Sequence, residues 1–162
     1  MLRVGFGYDA HRLVPDRTLV LGGVEIPGAQ GLLGHSDADV LTHAIIDALL
    51  GALCRGDIGQ HFPDTNQAYK NIRSVVMLKE VIKWVAEDGY RINNIDSTIV
   101  AEEPKLAPHL PAMRKALSKA MGISIQKLSI KATTAEGMGF CGRKEGMEAF
   151  AFVSLVSGNM EP

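Results

Sequence analysis

The stretch from Ser36 to about Arg55 constrains the fold more than any other part of the chain. Val40, Leu41, Ala44, Ile45, Ala48, Leu49, Ala52 and Leu53 recur there at helical spacing, which predicts a helix whose apolar stripe belongs to the core. Ser36 is its expected cap, with Asp39, three residues on, reaching back as in a capping box. Such a helix has to lie against a second layer, and the flanking segments supply one. Val4 to Tyr8 reads as a short strand running into Asp9-Ala10-His11. Thr18 to Leu21 and Val24 to Ile26 read as a hairpin around Gly22-Gly23, because both central residues of a tight primed turn need positive φ. Asn71 to Glu87 reads as a second helix, ending at Gly89. Ile95 to Ala101 is a strand rich in β-branched residues. Pro111 to Met121 is a third helix, with proline in its first turn and Gly122 after its end. Leu128 to Ala132 and Ala149 to Val156 read as strands. Pro27 to Gly34, Gly56 to Asn66 and Thr133 to Gly146 read as loops.

This order predicts an α/β (α+β) fold: a mixed four-stranded sheet with helices packed on one face, plus a small β-hairpin. The β–α–β links favour parallel pairing, and the last two strands are expected to pair antiparallel. At 162 residues without a long linker, positions 1–162 read as one domain. Lys plus Arg is 17 and Asp plus Glu is 18, a net charge of -1, which argues against a nucleic-acid partner that would need basic surplus. Hydrophobic residues at 46% with so little net charge exclude a disordered chain. Cys54 and Cys141 lack disulfide-framework or metal-motif spacing, so reduced thiols in a cytoplasm are expected. No leader-like N-terminus and no run of roughly 20 apolar residues is present, so no membrane partner is expected.

Chemistry-bearing residues fall into three groups. Asp9-x-His11 lies on a strand, where residues two apart point to one side. Alone, the pair reads as an ordinary hydrogen-bonded pair or strand end rather than a metal site. His43 lies four residues after Asp39 and four before Asp47, on one helix face. It reads either as part of a solvated polar face or as a metal ligand whose other nitrogen is oriented by Asp47 or Asp39. Asp9, His11 and His43 together would hold zinc through three protein ligands, leaving a position for substrate, which is the catalytic arrangement. His35 sits in the loop before this helix, near backbone N–H groups that suit an anion. The third group runs from Lys131 to Phe140. Lys131, Thr133, Thr134 and Glu136 suit a diphosphate with its magnesium, or form a plain surface loop. Asp57-Ile58-Gly59 and Glu103 to Pro108 add candidate polar walls.

Several of these segments recur together. Gly7-Tyr8-Asp9-Ala10-His11, Gly34-His35-Ser36-Asp37-Ala38-Asp39, Asp57-Ile58-Gly59 with Phe62-Pro63-Asp64-Thr65, and Lys131-Ala132-Thr133-Thr134 with Gly139-Phe140 and Gly142-Arg143 occur in order. In this, the chain closely resembles the 2-C-methyl-D-erythritol 2,4-cyclodiphosphate synthase family of non-mevalonate isoprenoid biosynthesis, from Met1 to about Ser157. The resemblance implies a lyase that converts 4-diphosphocytidyl-2-C-methyl-D-erythritol 2-phosphate to the cyclic diphosphate and cytidine monophosphate. It implies a homotrimer about a central axis with active sites between subunits. It implies zinc on Asp9, His11 and His43, and magnesium or manganese on Glu136. His35, Asp57, Thr134 and Glu136 would be catalytic. His35 and Ser36 would lie over the methylerythritol phosphate, Asp57 and Gly59 would contact the sugar-like part, and Phe62 and Asp64 would also bind substrate. Ala101, Pro104, Lys105, Leu106, Ala107, Ala132, Thr133 and Thr134 of a neighbouring subunit would hold the cytidine diphosphate. Phe140 and Arg143 would line an axial cavity where an isoprenoid diphosphate can sit.

The chain departs from the family pattern at Ala38, where many members have glycine, and at Leu106-Ala107, Cys141 and Glu148 to Phe152. Two alternatives stand beside this reading. One is a zinc-dependent phosphohydrolase; the other is a non-catalytic trimeric module that binds nucleotides or isoprenoid diphosphates.

Overall fold

A computed structural model describes residues 1–158, so residues 159–162 of the expected domain lie outside the described residues. The chain runs β1 (Leu2–Val14), β2 (Leu19–Leu21), β3 (Val24–Ile26), β4 (Gly31–Leu32), α1 (Val40–Leu53), α2 (Ile58–His61), α3 (Ser74–Glu87), β5 (Tyr90–Val100), α4 (Leu110–Met121), β6 (Leu128–Thr133), α5 (Gly139–Gly142) and β7 (Gly146–Ser157). One sheet has the order β4-β1-β7-β5-β6, and β2 with β3 forms a separate two-stranded ribbon. The turn of that ribbon places Gly22 at φ 56° and Gly23 at φ 74°, as its sequence requires.

The main sheet therefore has five strands where four were expected. The additional one, β4, is two residues long inside the predicted Pro27–Gly34 loop, and it pairs antiparallel with the end of β1. A strand that short carries no periodic signal. Among the described residues only β5 and β6 pair parallel. The last two strands do not pair with each other: β7 lies between β1 and β5, antiparallel to both. The link from β6 to β7 contains the short α5, and β7 instead completes a long ladder with β1.

Helix α1 lies directly on β1, and two glycines let it do so. A β-carbon at Gly5 would fall 1.8 Å from the Ala48 carbonyl oxygen, and one at Gly7 would fall 1.9 Å from that of Ala44. No side chain larger than hydrogen fits there. Helix α1 is buried nearly all round, with Asp47 and Gly51 the exceptions, as an apolar helix between two layers should be. Its cap is Asp39, which accepts from the Thr42 N–H, and not Ser36. Asp39 is fully buried and also accepts from the Gly22 and Gly23 N–H groups at 2.9 and 2.7 Å. It thereby ties the β2–β3 turn to the head of α1. Ser36 Oγ accepts instead from Ala38 N–H at 3.1 Å.

Helix α3 begins at Ser74, later than the expected Asn71, because Asn71 adopts φ 57° and its N–H goes to the His35 carbonyl. The opposite face of the sheet is open, and it carries Leu2, Val4, Phe6, Tyr8 and Phe152 exposed in alternation with buried partners.

Candidate metal centre and cleft

Three side chains from two elements converge. Asp9 and His11 sit two apart on β1, and His43 hangs from the first turns of α1 toward them. One ligand atom from each lies within 4.8 Å of the others. Asp9 Oδ2 is 2.8 Å from His11 Nε2 and 3.0 Å from His43 Nδ1, and the two nitrogens are 3.2 Å apart. The Gly7 contact between β1 and α1 sets this spacing, since it fixes how near the helix comes to the strand.

The donor set fits a divalent metal. His11 Nδ1 donates to the Leu33 carbonyl at 2.8 Å. A carbonyl can only accept, so the lone pair of the neutral ring is on Nε2 and points at the cluster. Burial pushes the Asp9 carboxyl up, yet its hydrogen bonds to His11 and His43 hold it well below the usual carboxylate range. Burial lowers His11, but Asp9 outweighs it and raises the imidazole above its ordinary value. Positive charge is stabilised at this point, and a cation held by two imidazoles and a carboxylate would take the place of the proton.

The carboxylates expected to orient His43 are engaged elsewhere. Asp39 caps α1 and the hairpin, as above. Asp47 accepts from Ile58 N–H at 2.7 Å and so seats α2 beside the cluster. The far nitrogen of His43, Nε2, faces Ser74 Oγ at 2.8 Å and Ser36 Oγ at 3.2 Å. Ser74 escaped the sequence reading because it lies 31 residues away, at the start of a helix whose apolar pattern gave no hint of it.

The cluster opens into a cleft of about 480 Å³ lined by Asp9, His11, Gly34, His35, Ser36, His43, Ile58, Gly59, Phe62 and Asp64, among others. His35 Nε2 is buried without a partner, a polar atom presented to whatever fills that space. Phe62 is held between Trp84, stacked at 5.9 Å, and Tyr69, edge-on at 5.4 Å. Arg17 donates to the Gly34 and Ser36 carbonyls at 2.7 and 2.6 Å, pinning the His35 loop. Asp57 caps α2 by accepting from Gln60 N–H at 3.1 Å, and it is Ile58 and Gly59 that line the cleft.

The remaining expected residues lie away from this wall. Ala101 and Leu106 are buried, while Pro104, Lys105, Ala107, Ala132, Thr133 and Thr134 range from half-buried to exposed, and none of these eight lines the cleft. Thr134 Oγ1 donates to Glu136 at 2.5 Å, and Glu102 accepts from Ala135 N–H at 2.8 Å. Phe140 is partly exposed, and Arg143 pairs with Glu145 at 2.9 Å.

The YgbB family model matches residues 2–156. The chain is 59% identical over 154 residues to the 2-C-methyl-D-erythritol 2,4-cyclodiphosphate synthase of Syntrophomonas wolfei, covering 95% of this chain and 98% of that protein. It is 54% identical to the synthase of Trichlorobacter lovleyi, covering 96% and 99%. Among solved structures, it matches a 2C-methyl-D-erythritol-2,4-cyclodiphosphate synthase in a CDP-bound form with a TM-score of 0.88 and 37% identity, covering 95% of this chain and 100% of that one. The Plasmodium falciparum IspF complex with CDP matches with a TM-score of 0.86 and 34% identity, covering 98% and 97%.

With its metal-binding triad set in this sheet-and-helix frame, the chain belongs to the YgbB family. It is an enzyme, a lyase by reaction class. Its activity is that of a cyclodiphosphate synthase of the non-mevalonate pathway, and neither the hydrolase nor the non-catalytic alternative is supported. Among the described residues no helix is long and apolar enough to cross a membrane.

Proposed function

We propose that the chain converts 4-diphosphocytidyl-2-C-methyl-D-erythritol 2-phosphate to 2-C-methyl-D-erythritol 2,4-cyclodiphosphate and cytidine monophosphate, with zinc on Asp9, His11 and His43. The convergence of those three ligand atoms at the floor of a cleft carries the reading. Bound there, zinc supplies Lewis acidity toward a phosphoryl oxygen. The reaction is an internal phosphoryl transfer. An oxygen of the 2-phosphate forms a bond to the β-phosphorus. The bond from that phosphorus to the bridging oxygen breaks, and its electron pair leaves with cytidine monophosphate.

No side chain has to act as nucleophile, because the attacking oxygen is already anionic. The work of the protein is to hold two anionic groups in line, and well-oriented intramolecular reactions gain up to about 7–11 kcal/mol from such placement. His35 Nε2, buried and unpartnered, meets an oxygen of the methylerythritol phosphate. Ser36, Gly59, Phe62 and Asp64 shape the cleft around it, with Asp57 behind Gly59. Glu136, steadied by Thr134, would hold magnesium or manganese, which would neutralise charge on the diphosphate. Ala101, Pro104, Lys105, Leu106, Ala107, Ala132 and Thr133 fix the leaving nucleotide. Charge developing in the transition state then meets groups already in place.

Those last residues lie off the cleft of their own chain, which favours their acting on a neighbour's. A homotrimer with shared active sites satisfies that, and the open apolar sheet face is the surface for it. Phe6 and Phe152 are each about half exposed with ring centroids 4.9 Å apart, an arrangement that calls for a covering partner. Phe140 and Arg143 would then face the axis toward an isoprenoid diphosphate, which Arg143 can engage on release from Glu145. Residues 1–162 act as one domain, as a soluble cytoplasmic enzyme.

Turnover of the diphosphocytidyl substrate in ¹⁸O-water, with zinc and magnesium present, tests the reaction. Cyclisation yields the cyclic product and cytidine monophosphate without water-derived oxygen. Incorporation of ¹⁸O into the phosphorylated product refutes it and restores the hydrolase.

A further inference from the structure

The far side of His43 holds a chain of groups that the expected site residues do not include. Ser74 Oγ lies 2.8 Å from His43 Nε2 and also contacts Asp37 Oδ1. Asp37 Oδ2 accepts from Ser74 N–H at 3.1 Å, and Arg73 Nε stands 3.9 Å from the same oxygen. Ser74 is fully buried, and the Asp37 side chain is 10% exposed.

The proton positions follow from donor counting. A carboxylate only accepts, so the Ser74 hydroxyl hydrogen goes to Asp37. Ser74 Oγ is then left with lone pairs toward His43, and Nε2 has to donate to it. That places a ring proton on Nε2 and turns Nδ1, 3.0 Å from Asp9, toward the cluster, where it donates to the Asp9 carboxylate in the metal-free chain and would offer its lone pair to a metal. Ser36 Oγ is a weaker candidate for the same role. It is farther away, at 3.2 Å, and already accepts from Ala38 N–H.

The geometry points to Asp37 and Ser74 as positioning residues for the metal: they lock His43 in the tautomer and ring orientation that turn Nδ1 toward the ion. The inference rests on the metal reading above and extends it from the ligands to what holds one of them. The arrangement also couples the centre to the frame. Asp37 caps α3, whose Arg73 cap position has no side-chain cap of its own. Through Asp37 and Ser74, the start of α3 and the His35 loop bear on one imidazole. A partner that accepts from a ligating histidine raises its basicity as well as fixing its orientation.

Two measurements on the full chain test this. Zn²⁺ competition against a chromophoric chelator should show Ser74→Ala binding about 10–100-fold more weakly than the parent. Asp37→Asn should shift in the same direction, and Ser36→Ala should stay within about threefold, its bond to Nε2 being the longer one. In the metal-free chain, ¹H–¹⁵N spectra should show a His43 Nε2 proton protected from solvent exchange by its bond to Ser74 Oγ. In Ser74→Ala that protection should be lost.

Ser74→Ala keeps the backbone N–H that Asp37 caps, so it retains α3 even if Asp37→Asn does not fold. A Ser74→Ala affinity matching the parent, or a His43 Nε2 proton that exchanges equally fast in parent and Ser74→Ala, overturns the positioning role. A parent chain that takes up no Zn²⁺ overturns the metal reading instead, and the exchange measurement, which needs no metal, still decides the role of Ser74.

Discussion

The polar atoms of Asp9, His11 and His43 themselves are each matched by another within the chain, whereas those of Thr134 and Glu136 face solvent and one another. His11 is fixed by the Leu33 carbonyl and His43 by Ser74, while β1 and α1 are pressed together through Gly7. Thr134 holds Glu136, and Glu102 receives the Ala135 N–H, all on an exposed loop. The first region is finished before anything binds. The second leaves its polar groups on an exposed loop, and the proposed function makes it one wall of a neighbour's site. Metal binding and turnover should therefore separate: changes in the first region cost both, and changes in the second cost turnover alone.

The largest effect belongs to His43→Ala. Loss of an outer partner of a metal ligand typically costs about 10–100-fold, so loss of the ligand itself should cost more than about 100-fold in both zinc affinity and turnover. Circular dichroism should show the helices intact. Zinc retained at full stoichiometry would mean that the metal reading of these three side chains is wrong. Next come Thr134→Ala and Glu136→Ala. Each should keep parental zinc affinity and slow the single-turnover chemical step by about 100-fold, the scale for removing one group that stabilises transition-state charge. A normal single-turnover rate in either variant would return that loop to a surface connection.

The two regions were also unequally legible in the sequence. Asp9 and His11 share a strand face by the period of two, and the apolar recurrence from Val40 to Leu53 put His43 on a defined helix, so both halves of the cluster were visible. Spacing alone could not show that the strand and helix touch. That follows from Gly5 and Gly7, whose missing β-carbons read as nothing in particular until Ala44 and Ala48 are seen against them. The orienting partner of His43 was misassigned for a related reason. Asp39 and Asp47 are its neighbours along the helix, but a helix neighbour is free to turn to other donors. Asp39 turned to Gly22 and Gly23, and Asp47 to Ile58. The group actually in place, Ser74, comes from a different helix.

The sheet was legible where strands are long. It was misjudged at β4, too short for a pattern, and at β7, whose place between β1 and β5 depends on a long-range ladder that local sequence does not encode. The Thr134–Glu136 loop was read from its residue types and from the motif it shares with the family, because an exposed loop leaves no periodic trace.

Two glycines at the same contact sharpen the first half of the comparison. Gly7→Ala forces a β-carbon against the Ala44 carbonyl, where only backbone can yield. Overpacking of this kind costs about 1–3 kcal/mol, and because it pries α1 from β1 it should also weaken zinc binding. Gly51 lies on the same helix, but a β-carbon there meets only Phe6 O at 3.8 Å. Gly51→Ala should leave zinc affinity unchanged and raise stability by up to about 1 kcal/mol, the helix-propensity difference. Paired thermal melts and zinc titrations distinguish them. Equal effects would mean that the strand–helix contact does not set the metal geometry.

The smallest effect is expected at the β6 edge of the sheet. Lys131 Nζ lies 2.7 Å from Asp96 Oδ2, both groups about half exposed. The Lys131 hydrogen bond holds the Asp96 carboxyl below its ordinary value of 3.8. A carboxyl whose folded value is depressed binds its proton less readily in the native chain than in the unfolded one, so its contribution is present above that ordinary value and fades as pH falls through the folded one. Asp96→Asn should therefore melt below the parent at neutral pH, and the two curves should converge in acid. Exposed pairs contribute little, and for a chain of this size the neutral-pH gap should be about 1–3 °C. Zinc affinity should not move at all. A gap that widens in acid would reverse the sign of the linkage. A change in zinc affinity would show that this edge of the sheet bears on the metal cluster after all, against the separation of the two regions.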